Sequence, residues 1–339
     1  MKRVSLFVLF VLLSVSCFSF EYYSSSEIFK IINDSKVNYS IDILDSLIFV
    51  KNYSNYVLTP SFYRVEDKNK LSLVDYEMNE ELKMILNQAE NCFKQKDYEN
   101  AITNYKKGLK INSKLYFLYT YIGQCYSNMG DFKKAEKYYK TAIKKDYTGY
   151  MAHWFLADLY YASQKIDKAL DEITLAWIFN RNHEMIKESV YLIYKADNRR
   201  FDDWYFTPQY TITKEGEDSI SVKSDSLWLS YALTKAAYTY DPALRDSSSS
   251  DNNTQINFEI EGVSLINQYL FIDEKRDSLK ENYPLKTLIK SIDSKNLDNY
   301  ILFEIISPVS PHFNYLMDRA SVKNLKNYLL NCRHTKNKI

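Results

Sequence analysis

The chain has 339 residues, of which 46% are hydrophobic and 26% are charged. This hydrophobic share is typical of globular proteins and too high for a disordered chain. The 44 basic and 43 acidic side chains nearly cancel, to a net charge of +1. Such a balance gives no electrostatic footprint for nucleic acid or for an anionic membrane surface, so neither is an expected partner.

The segment 1–19 has the features of a secretory signal peptide. The basic pair Lys2–Arg3 precedes an apolar run at 4–15, and the small residue Ser16 follows that run. The run is too short to span a bilayer. We therefore expect the protein to be exported, to a bacterial periplasm or cell envelope.

Cys17 gives an alternative to simple cleavage of this segment. The stretch Leu13–Cys17 loosely resembles a bacterial lipoprotein processing site, in which the cysteine becomes the lipidated first residue. Leu13 is one place too early for that site, and Ser16 replaces the Gly or Ala expected before the cysteine. Two interpretations stay open: a lipid anchor at Cys17 as the membrane attachment, or ordinary export without lipidation.

Residues 20–81 form a flanking region. Ser24 followed by Glu27 is typical of a capped helix start, and a short apolar helical face comes next. Alternating side chains within 37–47 predict a strand. The polar segment 52–69 is expected to be a loop.

Three alanines with similar surroundings, Ala101, Ala135 and Ala169, lie 34 residues apart. Around each one, further small residues recur at the same spacing of twelve and seven positions. The full set is Ala89, Ala101, Gly108, Gly123, Ala135, Ala142, Ala157, Ala169 and Ala176. Antiparallel helices approach closely only where side chains are small, so we expect these residues at helix crossings. The period predicts stacked helix–turn–helix units.

The segment 82–183 resembles three tetratricopeptide repeats (TPRs) in its period, its small residues and its polar turns. The proline that often closes such a repeat is replaced by Ser113, Tyr147 and Arg181. Residues 184–196 are expected to form a capping helix, because terminal repeats need an atypical cap. The predicted fold class is mainly α, a TPR superhelix with a capping helix and a further domain after it.

Residues 197–339 are predicted to be that separate domain, of α+β or mostly helical type. The segments 204–213 and 220–222 flank a polar turn and predict a hairpin. Ser226 is expected to cap a buried helix over 227–238, which is apolar almost all round.

The sequence contains no catalytic or metal-binding motif, and we expect no metal, no cofactor and no enzyme activity. The alternative function is an envelope enzyme with its active site in 197–339 and the TPRs as a docking arm. Its candidate residues are the acids Asp202, Asp203 and Glu215 together with His312. Acid pairs in a chain this charged are more often solvated turns.

The resemblance implies a concave groove lined by the first helix of each pair. The inward positions that it implies are Leu86, Glu90, Phe93, Thr120, Gln124, Ser127, Trp154, Asp158 and Tyr161. TPR domains that grip the C-terminal carboxylate of chaperones use Lys, Asn and Arg on this face, and none occurs at these positions. We therefore expect an apolar or extended peptide or protein partner, and not a chaperone carboxylate.

The function expected from these features is that of an exported TPR protein-interaction module or scaffold at the cell envelope. One alternative concerns the groove itself. Large apolar surfaces seldom stay bare in a monomer, so the domain at 197–339 could instead fold back and fill the groove.

Overall fold

The computed structural model of the protein describes residues 23–49, 53, 61–67, 70–244, 257–272, 279 and 282–337. The predicted signal peptide at 1–19 and the predicted lipidation site Cys17 lie outside these residues. The chain divides into two compact units. The first, the repeat unit, contains Tyr53–Phe201 and Ser307–Ile339. The second, the sheet unit, contains the described residues 23–49 and Asp202–Ile306.

The described part of the chain is mainly helical, as predicted. Its α-helices are α1 (Ser25–Asp34), α2 (Glu80–Lys94), α3 (Tyr98–Ile111), α4 (Phe117–Asn128), α5 (Phe132–Lys145), α6 (Tyr150–Ala162), α7 (Ile166–Phe179), α8 (Glu184–Ala196), α9 (Leu229–Tyr240), α10 (Phe258–Ile272), α11 (Tyr283–Asp293), α12 (Leu297–Tyr300), α13 (Ser307–Val309) and α14 (Arg319–Tyr328). Its strands are β1 (Asn38–Ile43), β2 (Phe62–Asp67), β3 (Lys70–Asp75), β4 (Tyr210–Lys214) and β5 (Ser219–Ser224). The segments Ile301–Ile306 and Leu329–Arg333 are π-helical, and Pro311–Leu316 is a 3₁₀ helix.

In the repeat unit, α2 packs with α3, α4 with α5, and α6 with α7, as three consecutive pairs. All nine small residues of the 34-residue pattern are buried. The central alanines Ala101, Ala135 and Ala169 are each 0% exposed. The helices therefore approach closely where the side chains are small, which confirms the predicted crossings.

The chain reverses after the first helix of each pair through a residue in the left-handed region. Lys96, Gly130 and Gln164 have φ values of 63°, 79° and 58°. They lie at the same repeat position, 34 residues apart. Asn198, with φ 57°, continues the series beyond the third pair. A left-handed residue after a helix C-terminus is a common way to end a helix, and here it makes each turn alike.

The loop predicted at 52–69 is wrong where β2 forms. β2 pairs with β3 in an antiparallel hairpin, with Tyr63 opposite Val74. Phe62 and Tyr63 are each only 9% exposed, and the Tyr63 ring stacks on Tyr76 at 5.4 Å. The two aromatic side chains are buried within the repeat unit, so packing favours a strand in a segment whose composition is polar.

The last part of the chain belongs to the repeat unit, whereas the sequence pattern placed it with the rest of 197–339. α14 packs on α7, and Lys326 Nζ lies 2.7 Å from Asp171 Oδ1 between these two helices. Asn314 donates a 2.6 Å hydrogen bond from Nδ2 to the carbonyl oxygen of Ile178. The second helix of the third pair is thereby covered by a distant segment of the chain.

The sheet unit contains a three-stranded sheet in the order β1-β5-β4. β1 runs parallel to β5, and β4 runs antiparallel to it, so the predicted hairpin is present with a first strand that begins at Tyr210. The predicted helix start is also present, since Ser24 and Glu27 form a capping box at α1. The core joins α1, α9 and the sheet through buried side chains such as Ile32 and Val222.

The cap predicted at Ser226 is wrong. The buried helix begins later, at Leu229, and the side chain that caps this turn is Asp225. Its Oδ1 accepts hydrogen bonds from the backbone N–H groups of Leu227, at 3.0 Å, and Trp228, at 2.8 Å. One carboxylate oxygen satisfies two donors of the turn, which favours aspartate as the capping residue here.

Candidate binding groove

The first helices of the pairs are neighbours in the repeat unit. α4 contacts α6, and α6 contacts α8, in addition to the contacts within each pair. The nine predicted groove residues lie on three of these helices, three each on α2, α4 and α6. They therefore share one layer of the array, and their role in binding stays a prediction.

These nine side chains differ in accessibility. Asp158 is exposed, whereas Thr120 and Trp154 are buried, at 2% and 8% exposure. The remaining residues are half-buried, namely Leu86, Glu90, Phe93, Gln124, Ser127 and Tyr161. A ligand would thus meet mainly the edges of side chains that are already packed between helices.

Trp154 contributes to helix packing. Its Nε1 donates a 2.9 Å hydrogen bond to Ser189 Oγ on α8, and its ring stacks on Phe155 at 5.1 Å. The indole N–H is therefore engaged, and little of the ring is available to a ligand. Trp154 holds α8 against α6, so it is a weaker candidate for a ligand anchor than Tyr161.

α8 continues the layer of first helices, although its sequence suggested only a cap. The positions 34 residues beyond Trp154, Asp158 and Tyr161 are Glu188, Leu192 and Lys195. Leu192 is 49% exposed. The signal that could have found these residues was the period itself, which reaches the left-handed turn at Asn198.

The two acids of the predicted groove have different surroundings. Glu90 Oε1 accepts a 2.7 Å hydrogen bond from the hydroxyl of Tyr105 on α3, so its carboxylate is partly engaged within its own repeat. Asp158 is exposed, yet desolvation raises the pKa of its carboxyl to about 6, against a smaller lowering by a hydrogen bond from Ser189. Asp158 is therefore the acid of α6 whose charge changes near neutral pH.

The enzyme candidates are not gathered into a site. Asp203 and Glu215 are exposed in the sheet unit, and Asp202 there is half-buried. His312 belongs to the repeat unit, where its ring lies 5.5 Å from that of Phe62. Within the ranges that the structure describes, no three His, Cys, Asp or Glu side chains are placed to hold a metal ion, and no helix is long and apolar enough to cross a membrane.

Solved structures with similar folds cover about a third of the chain. The first TPR of Spaghetti (RPAP3), bound to an HSP90 peptide, matches at 21% identity and a TM-score of 0.32, over 34% of this chain and 91% of its own. The Arabidopsis OM64 TPR domain matches at 15% and 0.32, over 34% and 95%. The Yersinia enterocolitica chaperone SycD, in complex with a peptide of the translocator YopD, matches at 15% and 0.32, over 35% and 97%.

Family models identify the first two helix pairs. Models described as tetratricopeptide repeat match residues 82–115 and residues 116–146. No curated protein matches the chain. The third pair, α6 and α7, has the same small residues and the same left-handed turn as the two matched pairs. The chain therefore carries tetratricopeptide repeats, matched by family models over residues 82–146 and continued by the pair α6–α7.

Proposed function

We propose that this protein binds an extended segment of a protein partner along the layer formed by α2, α4, α6 and α8. Stacked repeats of this kind present extended surfaces on which partners bind. The observation that carries the proposal is the continuation of the layer onto α8. It puts the exposed side chain of Leu192 in series with Asp158 and the half-buried Tyr161.

The residues of this layer favour a partner with apolar and basic side chains. Phe93, Tyr161 and Leu192 offer apolar surface, while Asp158 and Glu188 offer negative charge. Of the twelve register positions, only Lys195 is a cation. A carboxylate grip needs several convergent donors, so the chemistry here supports an extended cationic and apolar segment instead.

Export to the cell envelope, with or without a lipid on Cys17, is part of the proposal. It is supported by the sequence of residues 1–19 alone. Mass spectrometry of the mature N-terminal peptide in the native cell distinguishes the alternatives. An unprocessed Met1 would contradict export through this segment.

Selection of random peptides on the immobilised protein tests the groove. We expect enriched peptides to combine aromatic or aliphatic residues with Lys or Arg. Tyr161→Ala and Leu192→Ala should each weaken an enriched peptide at least about tenfold, because anchor side chains of an interface contribute over 1 kcal/mol. Trp154→Ala is unsuitable, since removal of a buried ring that holds α8 would destabilise the array.

Phe132→Ala provides the matched control. Phe132 is 56% exposed on α5, a second helix, so its loss removes an exposed aromatic ring outside the proposed layer. The control should bind enriched peptides like the unaltered protein. Equal affinity of the Tyr161 and Leu192 variants, or loss of affinity in the control, would contradict the proposed location.

A further inference from the structure

The repeat unit contains a small pocket where the second and third repeats meet. Its walls carry six aromatic rings, those of Phe62, Tyr76, Tyr116, Phe117, Tyr150 and Tyr315. The cavity volume is about 30 Å³, which suits the tip of one side chain and not a folded ligand. Thr120, one of the predicted groove positions, also lines it. We call it the aromatic pocket.

Ring contacts hold these walls in place. The rings of Tyr76 and Phe117 meet edge-to-face at 5.2 Å, and those of Phe62 and Tyr315 do so at 5.0 Å. Tyr76 is fixed further by its stack on Tyr63. Such edge-to-face pairs are favourable arrangements, so the pocket is formed before any ligand enters.

Asp146 is the one ionisable carboxyl among the lining residues. Its Oδ1 accepts hydrogen bonds from Thr148, at 3.1 Å from the backbone N and 2.8 Å from Oγ. Its Oδ2 accepts no hydrogen bond from any residue that the structure describes. Gly149, which also lines the pocket, leaves this oxygen uncovered, since even a Cβ built there would lie 3.5 Å from it.

The basic side chains near Asp146 are engaged elsewhere. Arg64 donates from Nη1 to the carbonyl oxygen of Met317 at 2.8 Å, and the ring nitrogens of His153 contact Glu172 and Tyr147. Within the described ranges, no cation lies at ion-pair distance from the Asp146 carboxylate. Desolvation accordingly raises the pKa of this carboxyl above its ordinary value, against smaller lowering by Thr148, His153 and Arg64.

We propose that the aromatic pocket binds the ammonium group of a lysine side chain presented by the partner segment. Aromatic faces attract a cation placed over them, and the attraction grows when water is excluded. The uncovered Oδ2 of Asp146 supplies the negative charge that a buried ammonium requires. A compact ammonium on a thin aliphatic stem fits the small cavity better than a planar guanidinium.

The partner as source of the lysine rests on the proposed function, and Thr120 is the shared residue of pocket and layer. The preference of the pocket for an ammonium ion rests on the pocket alone. Small probes that need no partner can therefore test the second statement separately.

The test uses ligand-observed NMR on the purified full chain with N-acetyl-lysine methylamide. N-acetyl-norleucine methylamide is the neutral comparison, because it has a similar aliphatic side chain without the ammonium. We expect the lysine probe to bind at least about fivefold more tightly, as a desolvated cation–π contact contributes about 1 to 2 kcal/mol. Equal affinity of the two probes would overturn the assignment.

Asp146→Asn should abolish the preference for lysine, because asparagine keeps an acceptor for Thr148 but carries no charge. Asp158→Asn is the matched control, since it removes an acid that does not line the pocket. If Asp146→Asn fails to fold, Tyr116→Leu serves instead, by removing one wall. Unchanged lysine preference in the folded pocket variant would refute the proposal.

Tetramethylammonium and tert-butanol, which have similar shape and differ in charge, distinguish the source of the cation. Weaker binding of tetramethylammonium than of the lysine probe supports a lysine ligand. Tight binding of tetramethylammonium with no binding of the lysine probe would overturn the lysine assignment. A lysine preference that persists when peptide selection fails would separate this pocket from the proposed groove.

Discussion

Ser189 connects the two polar side chains of α6 that face α8. Its hydroxyl accepts the N–H of Trp154 at 2.9 Å, and it also lies beside Asp158, whose pKa it lowers against the larger effect of desolvation. A hydroxyl can accept from one group and donate to another, so a single serine satisfies both. The net result at Asp158 is a pKa of about 6, raised from 3.8.

Asp158→Asn should change how stability depends on pH. The folded chain holds the Asp158 proton more tightly than the unfolded chain, so from about pH 4 to 6 the folded form binds more protons. This carboxyl therefore makes the free energy of unfolding fall as pH rises through that interval. Asparagine removes the contribution, and the variant should be the more stable protein at pH 7.

Urea unfolding of both proteins at several pH values measures this effect. The difference between the two curves isolates Asp158 from other carboxyls. A constant difference across the interval, or a variant that is less stable at pH 7, would show that the carboxyl titrates at its ordinary value. Asp97→Asn is a control at an exposed acid outside this layer.

At the scale of elements, the close approach of α4 and α5 depends on Gly123. A Cβ at this position would lie 2.6 Å from Cε1 of Tyr139, a distance that real Cβ contacts do not show. The equivalent positions in the other pairs are Ala89 and Ala157, so the second pair has exchanged a methyl group for a tyrosine ring. Packing of this kind fixes the spacing of the helices.

Gly123→Ala should destabilise the protein. Overpacking costs about 1 to 3 kcal/mol, whereas alanine gains about 1 kcal/mol of helix propensity over glycine, so the steric effect should win. Thermal unfolding measures the change. In a Tyr139→Leu background the same substitution should be tolerated better, and additive effects of the two changes would contradict a direct clash.

At the scale of the whole molecule, both units are built from distant stretches of chain. The repeat unit needs Ser307–Ile339 to cover α7, where Ile178 and Phe179 are 0% exposed. Asn182 donates from Nδ2 to the carbonyl oxygen of Pro308 at 3.0 Å, and Asn314 reaches Ile178. The array thus ends at a surface that its own sequence period does not provide.

A chain that ends at Ile306 should lose part of the stability of its repeats. Its α7 would expose side chains that are now buried, and burial of each contributes about 1.5 to 3 kcal/mol. Hydrogen exchange should show faster exchange of the α7 amides than of the α4 amides. Lys326→Ala is the control, since loss of one partly exposed ion pair changes stability by at most about 1 kcal/mol. Unchanged α7 protection in the shortened chain would contradict this role.

The repeats could be predicted because their signal is local. Period, small residues and turn positions all fall within one 34-residue window, and each is a direct consequence of helix geometry. β2 and the return of the C-terminal segment could not be predicted in this way. Their signals, buried aromatic side chains such as Phe62 and Tyr315, give no information about which distant surface buries them.

By itself, the sequence determined the helix pairs, the crossings at Ala101, Ala135 and Ala169, and the layer on which a partner is expected. The tertiary structure alone decided that Trp154 is buried, that α8 extends the layer, and that Phe62 and Tyr315 share a pocket with Asp146. The physical reason is the range of the interactions. Helix periodicity is set by neighbours a few residues apart, whereas burial and pockets depend on contacts between segments far apart in the chain.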